Sequence, residues 1–250
     1  MKVIKLKFYQ PFACYSLPFS FGVVNTYFLP PPSTIKGFVH STAGAQKDYP
    51  MAISIHGKFK AITYELQQII KFDQKRENQP LLKGFGRYSL KERAIRYVEL
   101  LTEVNLTLYL YFPPESSPLK EAFLKNLLIK EFPSLGRKED IALLTEEPKE
   151  VELQPFKDEA VLEEFTYFKK ETAKELYLTG SIYRLPLSYD GELSKKLGWR
   201  YFKKEDFLLA PPLQPLEPLV DGLFFDPDEE RVIELIALPE GYRHVLGQEV

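Results

Sequence analysis

The amino-acid sequence predicts an α+β protein, with two helices and four strands in residues 1–147 and a smaller β-rich domain in residues 148–250. In the first region, apolar residues follow strand and helix periods in the order strand, helix, strand, strand, helix, strand. In the second region, short apolar runs are separated by proline-rich turns. With 44% hydrophobic residues in 250, the chain can bury a substantial core.

The first strand is predicted at Lys2–Tyr9, because its apolar side chains alternate with lysines. An uncharged aromatic segment at residues 12–28 follows, and it suits either a cover for the core or a contact with a partner. Ser33 or Thr34 then caps a helix after three prolines. The apolar stripe of this helix consists of Ile35, Phe38, Val39 and Ala43.

The second strand is predicted from Lys58 to Phe72, where apolar and polar side chains alternate again. Residues 73–93 break this pattern with six basic residues and two glycines, which favours a protruding basic hairpin at about 73–97. The third strand is predicted at 104–112, because apolar residues occupy every second position there.

A second helix begins at Ser117-Pro118, a capping residue followed by proline at the first helical position. A short fourth strand at Asp140–Thr145 completes the unit. This βαββαβ order is that of the ferredoxin-like fold, which RNA-recognition modules share. In the β-rich domain, strands are predicted at 176–187, 201–209 and 232–238.

Charge is divided unevenly along the chain. The formal net charge is −2, but residues 1–100 hold 15 Lys and Arg against 6 Asp and Glu, whereas residues 101–250 hold 18 against 29. Such asymmetry suggests a polyanion on one face and a different partner on another, unless the charges mix on folding.

The sequence lacks the residues that several classes of functional site require. The single cysteine, Cys14, excludes a disulfide framework, and three isolated histidines argue against a metal site. The acidic run at 226–230 lacks the glycine of a calcium loop, so we expect a solvated turn. We expect no cofactor. With no signal peptide or membrane helix in the sequence, we also expect a cytoplasmic protein that contacts no membrane.

Two short motifs have anion-binding potential. The first, Pro30-Pro31-Pro32-Ser33-Thr34-Ile35-Lys36-Gly37, brings backbone N–H groups, two hydroxyls and a lysine to a helix start. The second, Pro133-Ser134-Leu135-Gly136-Arg137-Lys138-Glu139-Asp140, is a glycine turn with two adjacent cations. Taken singly, the first is also an ordinary helix start and the second an ordinary solvated turn.

Together these features resemble the fifth family of CRISPR-associated proteins, RAMP-superfamily subunits of the type I guide-RNA surveillance complex (Cascade). The resemblance rests on the first strand with Tyr9-Gln10-Pro11-Phe12, the two motifs and the basic segment between strands two and three. It covers roughly residues 1–145. The many aromatic residues near the N-terminus are most similar to those of the type I-B branch. It implies a subunit that grips the 5′ handle of the guide RNA (crRNA) in antiviral defence.

The resemblance also implies protein partners. The subunit would cap a filament of backbone (family seven) subunits and touch the large (family eight) subunit, which reads the target DNA. The basic hairpin would act as a thumb. The residues that the resemblance assigns to RNA are Ser33, Thr34, Lys36, Lys83, Phe85, Arg87, Tyr88, Lys91, Arg93, Arg96, Arg137 and Lys138.

Three alternatives remain at this point. Some family members are metal-independent endoribonucleases that use a tyrosine late in the first helix and a Lys-His pair. This chain lacks both, so we expect a non-catalytic subunit, with His40 the best residual acid–base candidate. A ferredoxin-like small-molecule enzyme or assembly protein is the second alternative. On strand three, Tyr109 and Tyr111 offer either a base-stacking platform or simple packing against a helix or a partner, and we favour packing.

Overall fold

The computed structural model describes residues 1–18, 22–73, 89–129, 133–198 and 201–236, and the side chains of all of these except 69–73 and 89–94. Its helices are α1 (Pro32–Ala43), α2 (Ser117–Ile129), α3 (Lys170–Glu175) and α4 (Gly191–Leu197). The strands of the first half are β1 (Lys2–Ala13), β2 (Tyr15–Ser16), β3 (Val23–Val24), β4 (Thr26–Tyr27), β5 (Ala52–Lys58), β6 (Ala61–Asp73) and β7 (Ser89–Tyr111). Those of the second half are β8 (Leu143–Leu144), β9 (Lys149–Glu152), β10 (Gln154–Pro155), β11 (Ala160–Val161), β12 (Phe165–Lys169), β13 (Ser181–Tyr189), β14 (Phe202–Ala210), β15 (Pro215–Leu216), β16 (Leu223–Asp226) and β17 (Arg231–Glu234).

A large, mostly antiparallel sheet in the order β13-β14-β12-β5-β7-β1-β8 forms the centre of the molecule. Strand β7 has two parts. Its C-terminal part lies between β5 and β1, with Leu108 opposite both Ile55 and Leu6. Its N-terminal part pairs with β6 from Thr102 back to Ser89, so these two strands form a ribbon that extends from the sheet.

Helices α1 and α2 pack on one face of this sheet. Because side chains alternate along β1, Leu6 and Phe8 point into the core beneath the helices. Phe38 of α1 links the two layers, with its ring 5.7 Å from that of Phe8 and 6.0 Å from that of Phe123 on α2. The predicted apolar stripe of the first helix is therefore its buried face.

The opposite face of the sheet is covered by the β16–β17 hairpin. Lys5 is buried there and its Nζ donates to Asp226 at 3.1 Å and to Glu229 at 3.0 Å. The Tyr109 hydroxyl also donates to Asp226, at 2.9 Å. The expectation of a solvated acidic turn is thus wrong for Asp226, which is 1% exposed, because the turn closes over a lysine of the first strand.

Strands of the second half extend the sheet. Strand β12 pairs with β5 on one side and with β14 on the other, and Tyr167, Leu185 and Phe207 join the main core. A second apolar cluster lies farther along, around Phe168, Leu176 and Leu216. The proposed division of the chain at 147/148 stays a prediction.

The predicted and observed strands differ most in four places. The predicted strand 58–72 corresponds to β6, whereas β5, which shares only Lys58 with it, is not predicted from the sequence. The predicted third strand is only the C-terminal part of β7. Strand four is reduced to β8 and one isolated bridge, Ser134 to Ile141. Residues 176–180 form a turn after α3, where Leu176 and Leu178 are apolar because they pack in the second cluster.

Among the described residues, no helix is long and apolar enough to cross a membrane.

Candidate nucleic-acid interface

A groove of about 640 Å³ lies between α1, the loop that follows it and strands β13 and β14. We call it the α1 groove. Its lining residues are Ser33, Lys36, Gly37, His40, Ala45, Gln46, Lys47, Asp48, Leu187, Tyr189 and Phe202.

One face of α1 forms the first wall. Ser33, Lys36, Gly37 and His40 recur at helical spacing, so they share a face, while the stripe with Ile35 and Phe38 anchors the helix to the sheet. The helix begins after Pro31, with proline at its first position and no side-chain cap. The Thr34 and Ile35 N–H groups donate to the Pro31 carbonyl at 2.8 and 3.3 Å, so among the described first-turn groups the Ser33 N–H is the one available to an anion at the helix start.

Lys36 supplies a largely buried cation to this wall of the α1 groove. Its side chain is 8% exposed, and its Nζ lies 3.0 Å from one oxygen of Asp48 and 3.1 Å from the other. Asp48 belongs to the loop after the helix and its side chain is 62% exposed. The lysine is thus largely buried, whereas its partner carboxylate is mostly exposed to solvent.

His40 lies one turn further along and both its ring nitrogens have partners. The Tyr49 N–H donates to Nε2 at 3.0 Å, so Nδ1 carries the proton and donates to the Lys36 carbonyl at 2.8 Å. Burial lowers the pKa of His40, opposed by the backbone contact to Lys36 and by the charge of Asp48. The imidazole is therefore neutral at pH 7. The side chain of His40 is 15% exposed.

Aromatic side chains form the opposite wall. Tyr189 is 51% exposed and its ring meets that of Phe202 edge-to-face at 5.9 Å. Lys47 lies over the ring of Tyr49, 4.7 Å from its centroid. The α1 groove therefore combines two lysines, one of them paired with Asp48, with a half-exposed aromatic ring, and these are features that sites for phosphate and unpaired bases share.

The glycine turn at 135–138 is organised by the buried carboxylate of Asp140. This carboxylate accepts the backbone N–H groups of Cys14 and Arg137 at 2.9 Å, and the Arg137 guanidinium at 2.7–3.2 Å. Gly136 has a φ of +109°, and a Cβ there would lie 3.0 Å from the Cys14 carbonyl, so the turn requires glycine. Lys138 is exposed.

The family of this chain follows from a comparison of its sequence with known families. The family model described as CRISPR-associated protein (Cas_Cas5) matches residues 3–191, which is most of the chain. The chain belongs to this family. The match includes both motifs, the ribbon and β13 of the groove.

Solved structures show the same fold. A chain of a CRISPR RNA-guided surveillance complex is 14% identical with a TM-score of 0.53, covering 85% of this chain and 91% of its own. A CRISPR protein from Archaeoglobus fulgidus is 12% identical with a TM-score of 0.52, covering 93% and 98%. No curated protein matches the sequence significantly.

In this Cas5-family chain, the predicted RNA-contact residues fall into separate places. Ser33 and Lys36 line the groove, whereas Thr34 is half-buried in the same helical turn and is not among the lining residues. Arg137 points to acidic groups, with its Nη1 3.2 Å from a carboxylate oxygen of Glu139 and 3.5 Å from one of Glu65 in the ribbon.

Most of the RNA-contact residues predicted for the basic hairpin lie outside the part of the chain that the structure describes. Arg96 is half-buried on β7, opposite Gln67. The backbone of Lys91 and Arg93 belongs to β7, but their side chains are outside the described ones. Lys83, Phe85, Arg87 and Tyr88 lie outside the described residues.

The sheet face that could have served as a base-stacking platform is covered. Tyr109 is fully buried beneath the β16–β17 hairpin, and Tyr111 packs partly against the same cluster. Both tyrosines therefore pack within the chain, but against strands and the β16–β17 hairpin and not against a helix as expected. Sequence reasoning missed Lys47, Asp48, Tyr189 and Phe202 as members of one site, because the two aromatic residues are about 150 positions from α1 and no local pattern connects them.

Proposed function

We propose that this chain is a non-catalytic, crRNA-binding subunit of a type I CRISPR surveillance (Cascade) complex, and that it grips the 5′ handle of the guide RNA. Membership of the family gives the class of complex. The α1 groove is the observation that carries the proposal for RNA, because it joins cations, an uncapped helix start and an exposed aromatic ring in one cleft.

In this proposal, one handle phosphate meets Lys36 and the first turn of α1, and a second contact comes from Lys47. An adjacent unpaired base stacks on Tyr189, whose ring is already held edge-on by Phe202. The Asp48 carboxylate competes with this phosphate for Lys36, because it is paired with Lys36 in the absence of RNA.

We further propose that β1, α1, β5, β7, α2 and β8 form a ferredoxin-like unit. Their order in the chain and the sheet order β5-β7-β1-β8 support this assignment. The unit then differs from RNA-recognition modules in its RNA-binding surface, because the β16–β17 hairpin occupies the sheet face.

The protein partners that we propose are the backbone (family seven) and large (family eight) subunits, with the chain at the end of the filament. The net charge of −11 in residues 101–250 supports a protein-facing role for that half. The assignment to type I-B stays a prediction from residue style.

A titration tests the proposal. Purified chain is mixed, in chelator and at several salt concentrations, with a labelled repeat RNA that ends in the 5′ handle, and with the same RNA whose handle is scrambled. We expect tighter binding of the handle RNA and intact RNA on a denaturing gel. Equal affinity for both RNAs would contradict handle recognition.

Metal-independent cleavage of precursor crRNA is the second candidate, because Lys36 and His40 line the same groove. Against it, His40 is neutral and both its nitrogens are held by backbone groups, so it has no free position for a substrate proton. A discrete product in chelator that His40→Asn abolishes and Tyr177→Phe, at an exposed distant site, retains would favour the nuclease.

A further inference from the structure

The base of the ribbon exposes one apolar face. We define the ribbon base as residues 61–68 of β6 and 95–102 of β7. In an antiparallel pair, directly opposed residues share a face, and here Tyr64 opposes Glu99 and Leu66 opposes Tyr97. This face carries five large side chains that are 41–68% exposed: Ile62, Tyr64, Leu66, Ile95 and Tyr97.

The other face of the ribbon base is already used. Val98 and Leu100 are buried against Cys14 and Val24, and Glu65 on that side faces Arg137. Strand β3 runs parallel to β7 along its far edge. The structure thus fixes the ribbon base from behind and leaves the apolar face toward solvent.

The outer edge of β6 is a second available feature. Among the strands that the structure describes, β6 pairs with β7 alone, so the backbone groups on its other edge face no described strand. Natural proteins usually protect such an edge with lysine, proline or a bulge. Residues 61–68 contain neither lysine nor proline, and the register shift in this pair lies beyond them, between Lys71 and Phe72.

The charges of the ribbon base disfavour RNA as its occupant. The charged residues among 61–68 and 95–102 are Glu65, Arg96 and Glu99. The one cation, Arg96, opposes Gln67 and so lies on the back face, whereas Glu99 lies on the apolar face and accepts from the Tyr64 hydroxyl at 3.4 Å. Within residues 61–68 and 95–102, a phosphate backbone would therefore find no cation on this face.

The size of the face decides between a second copy and a different protein. Five large side chains about half exposed present roughly 500 Å², the size of patch that marks an interaction site. Two copies face to face would bury about 1,000 Å² in total, below the range of about 1,200–2,000 Å² for stable interfaces. The patch therefore suits one contact among several in an assembly.

We propose that the ribbon base docks a protein strand with apolar side chains, contributed by a neighbouring subunit, which pairs with the outer edge of β6 and covers the apolar face. Edge pairing supplies main-chain hydrogen bonds, and the face supplies the side-chain contacts, as in strand addition to other exposed edges. The inference rests on the proposed function only in that the neighbour belongs to the surveillance complex.

The test assembles tagged chain with the purified backbone and large subunits and a handle-containing guide RNA. Protein association is measured separately from RNA binding by the isolated chain. The test variant is Leu66→Thr with Tyr97→Thr, which keeps strand propensity and removes apolar surface. The matched control is Ile182→Thr, a 55% exposed strand position in β13. Circular dichroism checks that each variant is folded.

We expect the double variant to weaken association with the neighbouring subunits at least tenfold, to leave RNA affinity within twofold, and the control to match the wild type. In hydrogen exchange, amides of 61–68 gain protection in the complex. Unchanged association, or unprotected β6 amides, would overturn the proposal. Lost RNA affinity with retained association would make the face an RNA surface. A wild-type chain that assembles but binds no handle would refute the proposed function and leave this inference standing.

Discussion

Neutralising Asp48 should strengthen RNA binding. Its carboxylate lies 3.0 Å from the Lys36 Nζ, so a phosphate on the other side of that nitrogen would sit at most about 6 Å from it. Because the Asp48 side chain is 62% exposed, water screens this pair, and in a nearly aqueous dielectric two negative charges at that distance repel by about 1 kcal/mol. Asp48→Asn removes this repulsion, and we therefore expect about fivefold tighter handle binding.

The salt dependence gives a second readout. Asp48→Asn frees one cation for phosphate, so the slope of log affinity against log salt should become steeper by about 0.7 for a single strand. Lys36→Met should make it shallower by a similar amount, and it should remove most of the gain from Asp48→Asn in the double variant. Binding is followed by fluorescence anisotropy at several salt concentrations.

Asp158→Asn is the matched control, since it makes the same change of net charge at an exposed position outside the groove. It corrects for the general effect of charge on RNA affinity. If Asp48→Asn binds no more tightly than Asp158→Asn, or if its gain persists in full without Lys36, the groove is not where the phosphate lies.

Three further predictions concern the stability of the fold. Asp226→Ala leaves Lys5 buried with Glu229 alone and should cost about 3 kcal/mol in urea unfolding; less than about 1 kcal/mol would show that the hairpin is not held by this pair. Burial lowers the pKa of His56 to about 3, so the unfolded state binds more protons below pH 6.5. The wild type should then lose about 2 kcal/mol more than His56→Gln between pH 6.5 and 5, and parallel curves would refute this. Burial raises the pKa of Glu234 to about 7, so ionisation opposes folding as pH rises. Relative to Glu234→Gln, the wild type should lose about 3 kcal/mol from pH 4.5 to 8, and a constant difference would contradict it.

Elements with a strict period were predictable from the sequence. Lys2–Tyr9 alternates because one side faces the helices, and Ser117-Pro118 marks the start of α2 by local backbone preference. Strand β5 is not predicted from the sequence because both its faces are covered. Ile53 and Ile55 lie under the helices, whereas Ser54 and His56 are buried on the opposite side. The charged alternation that identifies a half-exposed strand is absent from it.

Half of the candidate site was predictable. Ser33 and Lys36 follow from the helix-start motif, since the anion-binding character of a helix start is local. Tyr189 and Phe202 reach the groove only because β13 pairs with β14 and the sheet places that pair beside α1. Asp226 illustrates the same limit, because a run of acidic residues looks solvated until a lysine from a distant strand is brought beneath it.

Photocrosslinking tests the central claim most directly, that the α1 groove and not the sheet face holds the handle. Variants with p-benzoylphenylalanine in place of Tyr189 in the groove, or of Tyr111 on the sheet face, are irradiated with labelled handle RNA. We expect handle crosslinks from position 189 and few from position 111. Crosslinks from position 111 with none from 189 would contradict the account.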